Sequence, residues 1–464
     1  MNFCGIISEF NPFHNGHKFI IEKAKEKTNC DIVCVMSGNF VQRGEAAFQD
    51  KFTRAENAIK NGATAVLELP TIYACSNAEN FAFGAIKILK AIGAKFIAFG
   101  VENANIEILE KIAKLKFENS IEFQNSFKNE IENGINFNTA LKRAIVKNIG
   151  EDVTKILEKP NNVLAIEYLT AIYKLNAKIK PVAIERSDFG FNSKNENNEF
   201  LSAGSIRERF FEGKNISKFI PKNAKIDCIF NEKSKNTLKT LQILKIKQTP
   251  EKQLSKLYDY NEGIEFRIKK CAQLGSFEEI KNNIVSPRYR ENRVNKLMLY
   301  PLLEISKHIE NLARHTKPFA KVLAIDKNNK NLLKTSKTKI NLVSCTNDYN
   351  RLSSAQQKII QIDLNSSEIY NTICGNCLKN DKTKGTLFLW VPFCFTVLST
   401  FWWSCLFRFY LFLLFLFVEI FFYFFLWFRS VIFNFFFRKF FTFFLFMNFL
   451  CKHIFIYISC PTIN

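Results

Sequence analysis

A chain of 464 residues is long enough for two or three domains, and a formal net charge of +22 favours a polyanionic partner. RNA, DNA and an anionic membrane surface all remain open, and a bias toward Lys codons is a second explanation of the charge. The 13 cysteines are scattered along the chain, and the N-terminal residues do not have the pattern of a secretory signal. Both observations argue against a disulfide-rich secreted protein and favour the reducing cytoplasm. We expect no metal site, because the C-x-x-C pair Cys374 and Cys377 lacks a second pair at zinc-ligand spacing.

Short apolar runs alternate with amphipathic stretches over the first hundred residues, which is the pattern of βαβ units. The sequence predicts strands at 3–8, 31–37, 63–69 and 95–99, with helices at 16–26, 50–61 and 77–91. We therefore expect an α/β fold with a Rossmann-like parallel sheet, whose ligands would bind at the carboxyl ends of the strands.

A histidine motif joins the first strand to the first helix. It runs from Ile6 to His17 and places His14 and His17 three residues apart around Gly16. A helix N-terminus offers unpaired N–H groups to phosphate, and each imidazole can donate to oxygens that gain charge in a transition state. H-x-G-H at this position resembles the adenylation signature of nucleotidyltransferases and class I aminoacyl-tRNA synthetases. The alternative is a pair of histidines that only cap the helix.

Polar residues follow the second predicted strand and open the next helix. The segment 36–45 reads M-S-G-N-F-V-Q-R-G-E, and D-K-F-T-R-A begins at Asp50. These side chains would face the histidine motif from a neighbouring strand end. For Lys51 and Arg54, an exposed basic helix face is the alternative.

Residues 106–175 read as mainly helical, with a break at Pro160, and a strand is predicted at 180–185. A polar loop, 192–198, then leads to S-A-G-S-I-R at 202–207, where we expect a helix that begins near Ile206. This element resembles the one that contacts triphosphate from the far side in small nucleotidyltransferases. It makes Ser202, Ser205 and Arg207 candidate phosphate ligands, and a serine cap with a solvated arginine is the alternative.

A lysine-rich, largely helical region extends from about residue 214 to residue 361. Its most basic segment contains Arg288, Arg290, Arg293 and Lys296, with Tyr289 between two of the arginines. Basic side chains beside an aromatic ring are typical of surfaces that bind a nucleic acid backbone, and a solvated helix face is the alternative.

The last 77 residues, 388–464, differ from the rest: they hold 25 of the 50 phenylalanines. The uncharged run 385–407 is long enough to span a bilayer. An antisense or misread reading frame of a gene rich in Lys, Glu and Asn codons explains the phenylalanines as well. We leave the tail out of the fold prediction on either account.

Five blocks together resemble the bacterial tRNA(Met) cytidine acetate ligases, over roughly residues 1 to 375. They are E-F-N-P-F-H-N-G-H at 9–17, the segment 36–45, D-K-x-x-R-A at 50–55, L-E-L-P at 67–70 and the stretch 77–82. The resemblance implies that acetate and ATP, with Mg²⁺, form acetyl-adenylate and pyrophosphate. The acetyl group would then pass to N4 of the wobble cytidine of elongator tRNA(Met), giving N4-acetylcytidine and AMP.

The resemblance also implies an ATP site. His14 and His17 would be catalytic, and the ATP-binding residues would be Ile7, Ser8, Glu9, Phe10, Asn11, Pro12, Phe13, His14, Asn15, Gly16, His17, Lys18, Phe19, Ile20, Gly100, Asn162, Arg186 and Ser187. The expected domains are a Rossmann-like adenylation domain at 1–213, a mainly helical, basic tRNA-binding domain at 214–377 and the tail at 378–464.

Two other classes of function remain as alternatives. One is a small-molecule adenylyltransferase, and the other is a non-catalytic RNA-binding or membrane-anchored protein with a nucleotide fold. We expect a cytoplasmic enzyme, with membrane association only if the tail is real protein. The acetate pocket, the base for the cytidine amine and the oligomeric state do not follow from the sequence.

Overall fold

One mostly parallel sheet of seven strands organises the computed structural model, which describes residues 2–102, 105–186, 200–227, 229–329 and 340–375. The predicted features at Ser187, 192–198, Cys377 and 378–464 lie outside these residues. The strands are β1 (Phe3–Ser8), β2 (Asp31–Ser37), β3 (Phe40–Val41), β4 (Glu45–Ala46), β5 (Ala65–Leu69), β6 (Phe96–Val101), β7 (Lys180–Glu185), β8 (Phe319–Ile325) and β9 (Asn341–Val343).

The sheet has the order β7-β6-β1-β2-β5-β8-β9, while β3 and β4 form a separate antiparallel hairpin. The first five strands of this order are parallel, as the sequence predicts. β8 then pairs antiparallel with β5, and β9 pairs parallel with β8. These last two strands were not predicted, since they lie in the lysine-rich region that was interpreted as helical. The parallel order brings the carboxyl ends of β6, β1, β2 and β5 to one edge of the sheet.

Helices cover both faces of the sheet. Those before residue 212 are α1 (Asn15–Thr28), α2 (Lys51–Lys60), α3 (Thr71–Ala74), α4 (Ala78–Ile92), α5 (Ile106–Glu118), α6 (Ile121–Glu132), α7 (Phe137–Ile149), α8 (Thr154–Leu157), α9 (Pro160–Lys174) and α10 (Ala203–Phe211). The predicted break at Pro160 is the start of α9, where proline fits the first turn because it lacks an N–H.

Alternation along β1 decides which helix packs on which face, because successive side chains of a strand point to opposite sides. Ile6 packs in a buried cluster with Ile21 of α1 and Ala58 of α2. On the other face a Cβ at Gly5 would lie 2.5 Å from Leu89 of α4, so the glycine lets this helix approach closely. α1 and α2 therefore lie opposite α4.

The region after residue 213 adds eight helices among the described residues. They are α11 (Glu232–Gln248), α12 (Glu251–Leu254), α13 (Ile264–Cys271), α14 (Phe277–Ile284), α15 (Glu291–Leu303), α16 (Lys307–His315), α17 (Thr346–Tyr349) and α18 (Ser354–Cys374). Their buried side chains, Leu297 of α15 for example, belong to the same core cluster as Phe3 of β1. The domain boundary at 213 stays a prediction, and one core extends across it. No helix in the described ranges is both long and apolar enough to cross a membrane.

Candidate active site

The histidine loop, residues 9–14, leads from the end of β1 to the start of α1. Phe10 takes a left-handed backbone conformation, with φ of 47°, and its ring is buried against Phe13 at 5.0 Å between ring centroids. The Phe10 ring also meets the His17 ring edge to face at 4.9 Å. The apolar residues of the motif therefore anchor the loop in the core and fix the position of the histidines.

Each histidine of the motif uses one ring nitrogen to begin α1. His14 is the N-cap, and its Nδ1 accepts the Gly16 N–H at 3.0 Å. The His17 Nδ1 accepts the His14 N–H at 3.3 Å, and the two rings stack at 3.7 Å. Since both Nδ1 atoms accept, each neutral ring carries its proton on Nε2. Within the described residues neither Nε2 has a hydrogen-bond partner. The rings therefore cap the helix and also leave two N–H donors free.

Both histidines are neutral at physiological pH. Burial, with a smaller contribution from the charge of Arg186, lowers the pKa of His14 to about 3. Burial also lowers the pKa of His17 well below its usual value, and the neighbouring His14 and Arg186 add to that shift. The pair can therefore donate hydrogen bonds to an anion, but it does not supply positive charge.

Gly16 makes this arrangement possible. A Cβ at residue 16 would lie 2.9 Å from Cε1 of the His14 ring, a distance that forces the ring to move. The glycine is required for the capping contact itself, in which the Gly16 N–H is bound by the His14 ring.

Arg54 holds the start of the histidine loop in place by hydrogen bonds to backbone carbonyls. Its buried guanidinium donates to the carbonyl oxygens of Glu9 at 2.5 Å, Ser37 at 3.2 Å and Gln49 at 3.0 Å, and also to that of Gly38. These contacts join the end of β1 to the end of β2. The interpretation of Arg54 as part of an exposed helix face is wrong, because the first turn of α2 packs under the carboxyl edge of the sheet.

Lys51 is also buried, so the exposed-face interpretation is wrong for it too. Its Nζ lies 2.7 and 2.9 Å from the carboxylate oxygens of Glu68 and 2.9 Å from the Ser367 hydroxyl. Asp363, one turn earlier on α18, accepts the Thr71 N–H at 2.6 Å. Burial and the nearby Glu68 raise the pKa of Asp363 to about 7. We call Lys51, Glu68, Asp363 and Ser367 the Lys51 cluster.

Sequence reasoning missed most of the Lys51 cluster. Glu68 gave a signal, since a carboxylate inside the apolar run of β5 needs a buried partner. Asp363 and Ser367 gave none, because they lie about 300 residues further along the chain, in an ordinary helical pattern.

The candidate phosphate element at 202–207 reaches the histidine loop through Arg207, which donates to the Asn11 carbonyl oxygen at 2.7 Å. Ser202 caps α10 by accepting the Ser205 N–H at 3.1 Å, and the two hydroxyls lie 2.9 Å apart. The helix begins at Ala203, three residues before the predicted start, because Ser202 is the residue that caps it. Contact with phosphate stays a prediction for all three side chains.

The other predicted ATP residues lie on the β6 side of the loop. At Gly100 a Cβ would lie 3.0 Å from Ile20 and 3.5 Å from Arg186, so these three residues are neighbours. Buried Asn162 accepts the Glu102 N–H at 3.0 Å and so holds the turn after β6. Two of the predicted ATP residues lie in α1 and contact other side chains: Lys18 pairs with Glu22, and Phe19 packs on Phe200.

The basic segment before α15 is only partly free. Arg293 forms a two-pronged ion pair with Asp259 at 2.7 and 2.8 Å and covers the buried Tyr289 ring, which is therefore unavailable for stacking on a base. Lys296 is half-buried and donates to the Ser76 carbonyl oxygen at 3.3 Å. Arg288 and Arg290 are exposed, the former paired with Glu262. Their contact with RNA stays a prediction.

Comparison with known proteins agrees with this geometry. The family model described as HIGH Nucleotidyl Transferase matches residues 1–385. The tRNA(Met) cytidine acetate ligase of Clostridium botulinum (strain Okra / Type B1) is 34% identical over 401 residues, 82% of this chain and 97% of that protein. The enzyme of the same name from Thermoanaerobacter sp. (strain X514) is 35% identical over 391 residues, 81% of this chain and 96% of that protein.

Two crystal structures of Thermotoga maritima TmcAL share the fold. The structure with bound alpha-thio ATP has a TM-score of 0.74 and the apo structure one of 0.76. Each is 26% identical to this chain and covers 83% of it and 99% of the solved chain. The resemblance that five sequence blocks indicated, the α/β fold and the enzyme class are confirmed: the chain belongs to the tRNA(Met) cytidine acetate ligase family of HIGH nucleotidyl transferases.

Proposed function

We propose that this chain activates acetate with ATP and transfers the acetyl group to N4 of the wobble cytidine of elongator tRNA(Met). The observation that carries the proposal is the pair of neutral Nε2–H donors, on His14 and His17, at the start of a helix on the carboxyl edge of the sheet. The names of the relatives and the ATP analogue in the Thermotoga maritima structure support it.

ATP would bind along the histidine loop and the first turn of α1. The triphosphate would accept hydrogen bonds from both Nε2–H groups and would lie at the positive end of the α1 dipole. Gly100, Asn162 and Arg186 would border the nucleoside from the β6 side, and Arg207 would approach the phosphates from α10. The distances among Gly100, Ile20 and Arg186 support a single continuous site.

Mg²⁺ would come with the triphosphate. Among the described residues no group of three or more His, Cys, Asp or Glu side chains could hold a metal ion. Mg²⁺ commonly keeps several water ligands and binds through phosphate oxygens. The described side chains therefore do not form a metal site of their own.

In the first step an acetate oxygen would attack the α-phosphorus, and pyrophosphate would leave. Negative charge moves onto the phosphate oxygens during this step, so donors fixed beforehand stabilise the transition state more than the bound substrate. The stacked rings and their two capping hydrogen bonds hold the donors in place. Positioning and hydrogen bonding suffice, without a covalent intermediate on the protein.

In the second step the cytidine amine would attack the acetyl carbonyl, with AMP as the leaving group. The anticodon base would be unstacked, as bases in RNA loops usually are when proteins recognise them. Arg288 and Arg290, both exposed, would contact the tRNA backbone near α15.

The test incubates the full chain with ATP, Mg²⁺, radiolabelled acetate and total tRNA, then digests the RNA and identifies the labelled nucleoside. We expect N4-acetylcytidine in elongator tRNA(Met) and acetate-dependent pyrophosphate release. Pyrophosphate release with no label in RNA would favour a small-molecule adenylyltransferase. If neither labelled RNA nor pyrophosphate release is observed, the result would favour a non-catalytic RNA-binding protein.

A further inference from the structure

Glu9 is the first residue of the histidine loop, and within the described ranges one of its two carboxylate oxygens is free. The Gln42 N–H, from the β3–β4 hairpin, donates to Oε1 at 2.9 Å. In the described parts of the chain Oε2 has neither a hydrogen-bond partner nor an ion-pair partner. The carboxylate is thus oriented through one oxygen and leaves the other available.

The charges around Glu9 do not bind it directly. Arg54, Arg207 and Arg43 face it, but in the described structure none lies within ion-pair distance, since Arg54 and Arg207 donate to backbone carbonyls instead. Burial raises the pKa of Glu9, while the Gln42 N–H and the arginines oppose that shift. Tyr168 and Cys75 also interact with the charge of Glu9, and burial raises the pKa of both, so they stay neutral. A carboxylate with no ion pair remains able to take up a proton.

The hairpin that holds Glu9 also touches the basic helical region. A Cβ at Gly44 would lie 2.7 Å from the backbone nitrogen of Lys296, so the hairpin turn lies directly on α15. That helix begins next to the exposed Arg288 and Arg290. Glu9 therefore lies between the histidine loop, where ATP is expected to bind, and the start of α15, where RNA is expected to bind.

Other groups near the loop are unsuited to accept a proton. His14 and His17 carry a proton on Nε2, and their Nδ1 atoms are occupied by capping hydrogen bonds. In the Lys51 cluster the Glu68 carboxylate is bound by Lys51. Within the described histidine loop, the Glu9 carboxylate retains an unoccupied oxygen.

We infer that Glu9 is the general base of the acetyl transfer step, an inference that rests on the proposed function. The cytidine N4 forms a bond to the acetyl carbon as the bond from that carbon to the AMP oxygen breaks. The proton of N4 passes to Oε2 of Glu9, and AMP leaves with the electron pair of the broken bond. Glu9 then releases the proton to solvent.

The test measures the two half-reactions separately on the full chain. ATP–pyrophosphate exchange with acetate reports the first step, and transfer from added acetyl-adenylate to tRNA(Met) reports the second. For Glu9→Gln we expect transfer to fall about 10²- to 10³-fold, with a much smaller fall in exchange, because general base catalysis contributes about that factor. Transfer by the unaltered chain should decline at acid pH as Glu9 is protonated, whereas the variant should show no such decline.

Two further variants complete the experiment. Glu26→Gln removes an exposed carboxylate that pairs with Lys23 further along α1, and it should change neither half-reaction by more than about twofold. Glu9→Asp keeps a carboxylate and should restore much of the transfer lost in Glu9→Gln.

Three results would overturn the inference. Equal losses in exchange and transfer for Glu9→Gln would show that Glu9 only shapes the loop. Undiminished transfer in that variant would exclude Glu9 as the base while the proposed function stands. Absence of transfer to tRNA by the unaltered chain would remove the proposed function and this inference with it.

Discussion

Two buried cations one turn apart on α2, Lys51 and Arg54, are bound by different kinds of group. Lys51 is satisfied by side chains, the Glu68 carboxylate and the Ser367 hydroxyl. Arg54 is satisfied by four backbone carbonyls, three at the ends of β1 and β2 and one, that of Gln49, just before α2. On the Lys51 side the polar side chains bind one another, which joins α18 to the sheet. On the Arg54 side the guanidinium binds backbone carbonyls. The histidine Nε2 atoms and one Glu9 oxygen have no partner in the part of the chain that the structure describes, which leaves them for a ligand.

The largest expected effect is on the stability of the Lys51 side. Lys51→Met removes the cation that binds the buried Glu68 carboxylate, and we expect a loss of about 3 to 5 kcal/mol in the free energy of unfolding. Urea denaturation of the full chain measures it. Lys60→Met is the control, because Lys60 pairs with Glu56 on the outer part of the same helix and should cost less than about 0.5 kcal/mol. Equal effects would show that the Lys51 cluster does not stabilise the fold.

On the Arg54 side the largest expected effect is on catalysis. His14→Asn keeps a cap acceptor for the Gly16 N–H but removes the Nε2–H donor. We expect acetate-dependent ATP–pyrophosphate exchange to fall about 10²- to 10³-fold, with unfolding free energy changed by no more than about 1 kcal/mol. His308→Asn, at an exposed histidine of α16, should change neither quantity. Intact exchange in His14→Asn would contradict the donor role.

Arg54→Lys tests whether the loop is held by the several hydrogen bonds of the planar guanidinium group or only by its positive charge. A single ammonium group cannot reach carbonyls on two strand ends and on the turn before α2, so we expect a loss of about 2 kcal/mol in stability. The apparent affinity for ATP, measured as KM in the exchange reaction, should weaken in the same variant. If the lysine variant equals the unaltered chain in both measurements, the guanidinium hydrogen bonds are not what holds the loop.

The smallest expected effect is the pH dependence of the Lys51 cluster. The pKa of Asp363 is raised to about 7 in the folded protein, so the folded state holds this proton more tightly than the unfolded chain. Stability from this group is present at lower pH and is lost as pH rises through 7, by about 1 kcal/mol between pH 6 and pH 8. Asp363→Asn should abolish that decline in stability, which thermal unfolding at a series of pH values measures. Asp152→Asn, at an exposed position, should leave it unchanged.

Local spacing made much of the fold predictable. The strands at 3–8, 31–37 and 180–185 have the predicted bounds, and the helices at 16–26, 50–61 and 77–91 begin and end within two residues of the predicted positions. The histidine motif was predictable for the same reason, since its cap, glycine and helix are consecutive in sequence.

Contacts between distant segments were not predictable. Lys51 and Arg54 have the spacing of an exposed basic face, and only the packing of α2 under the sheet edge buries them. Strand β8 is one apolar run in a lysine-rich region, and pairing with β5 decides its structure. The Glu9 to Gln42 hydrogen bond depends on the fold of a hairpin whose two strands have two residues each.

The antiparallel pairing of β8 with β5 also has a consequence for protein synthesis. All five residues of β5 are buried, yet the partner for its outer edge is translated only at Phe319–Ile325. Until then the nascent chain presents an apolar strand with unpaired backbone groups, a common origin of aggregation. A shortened chain that ends at residue 213 would keep that edge permanently. Expression of such a fragment should therefore need chaperones, or a solubilising partner, that the full chain can do without.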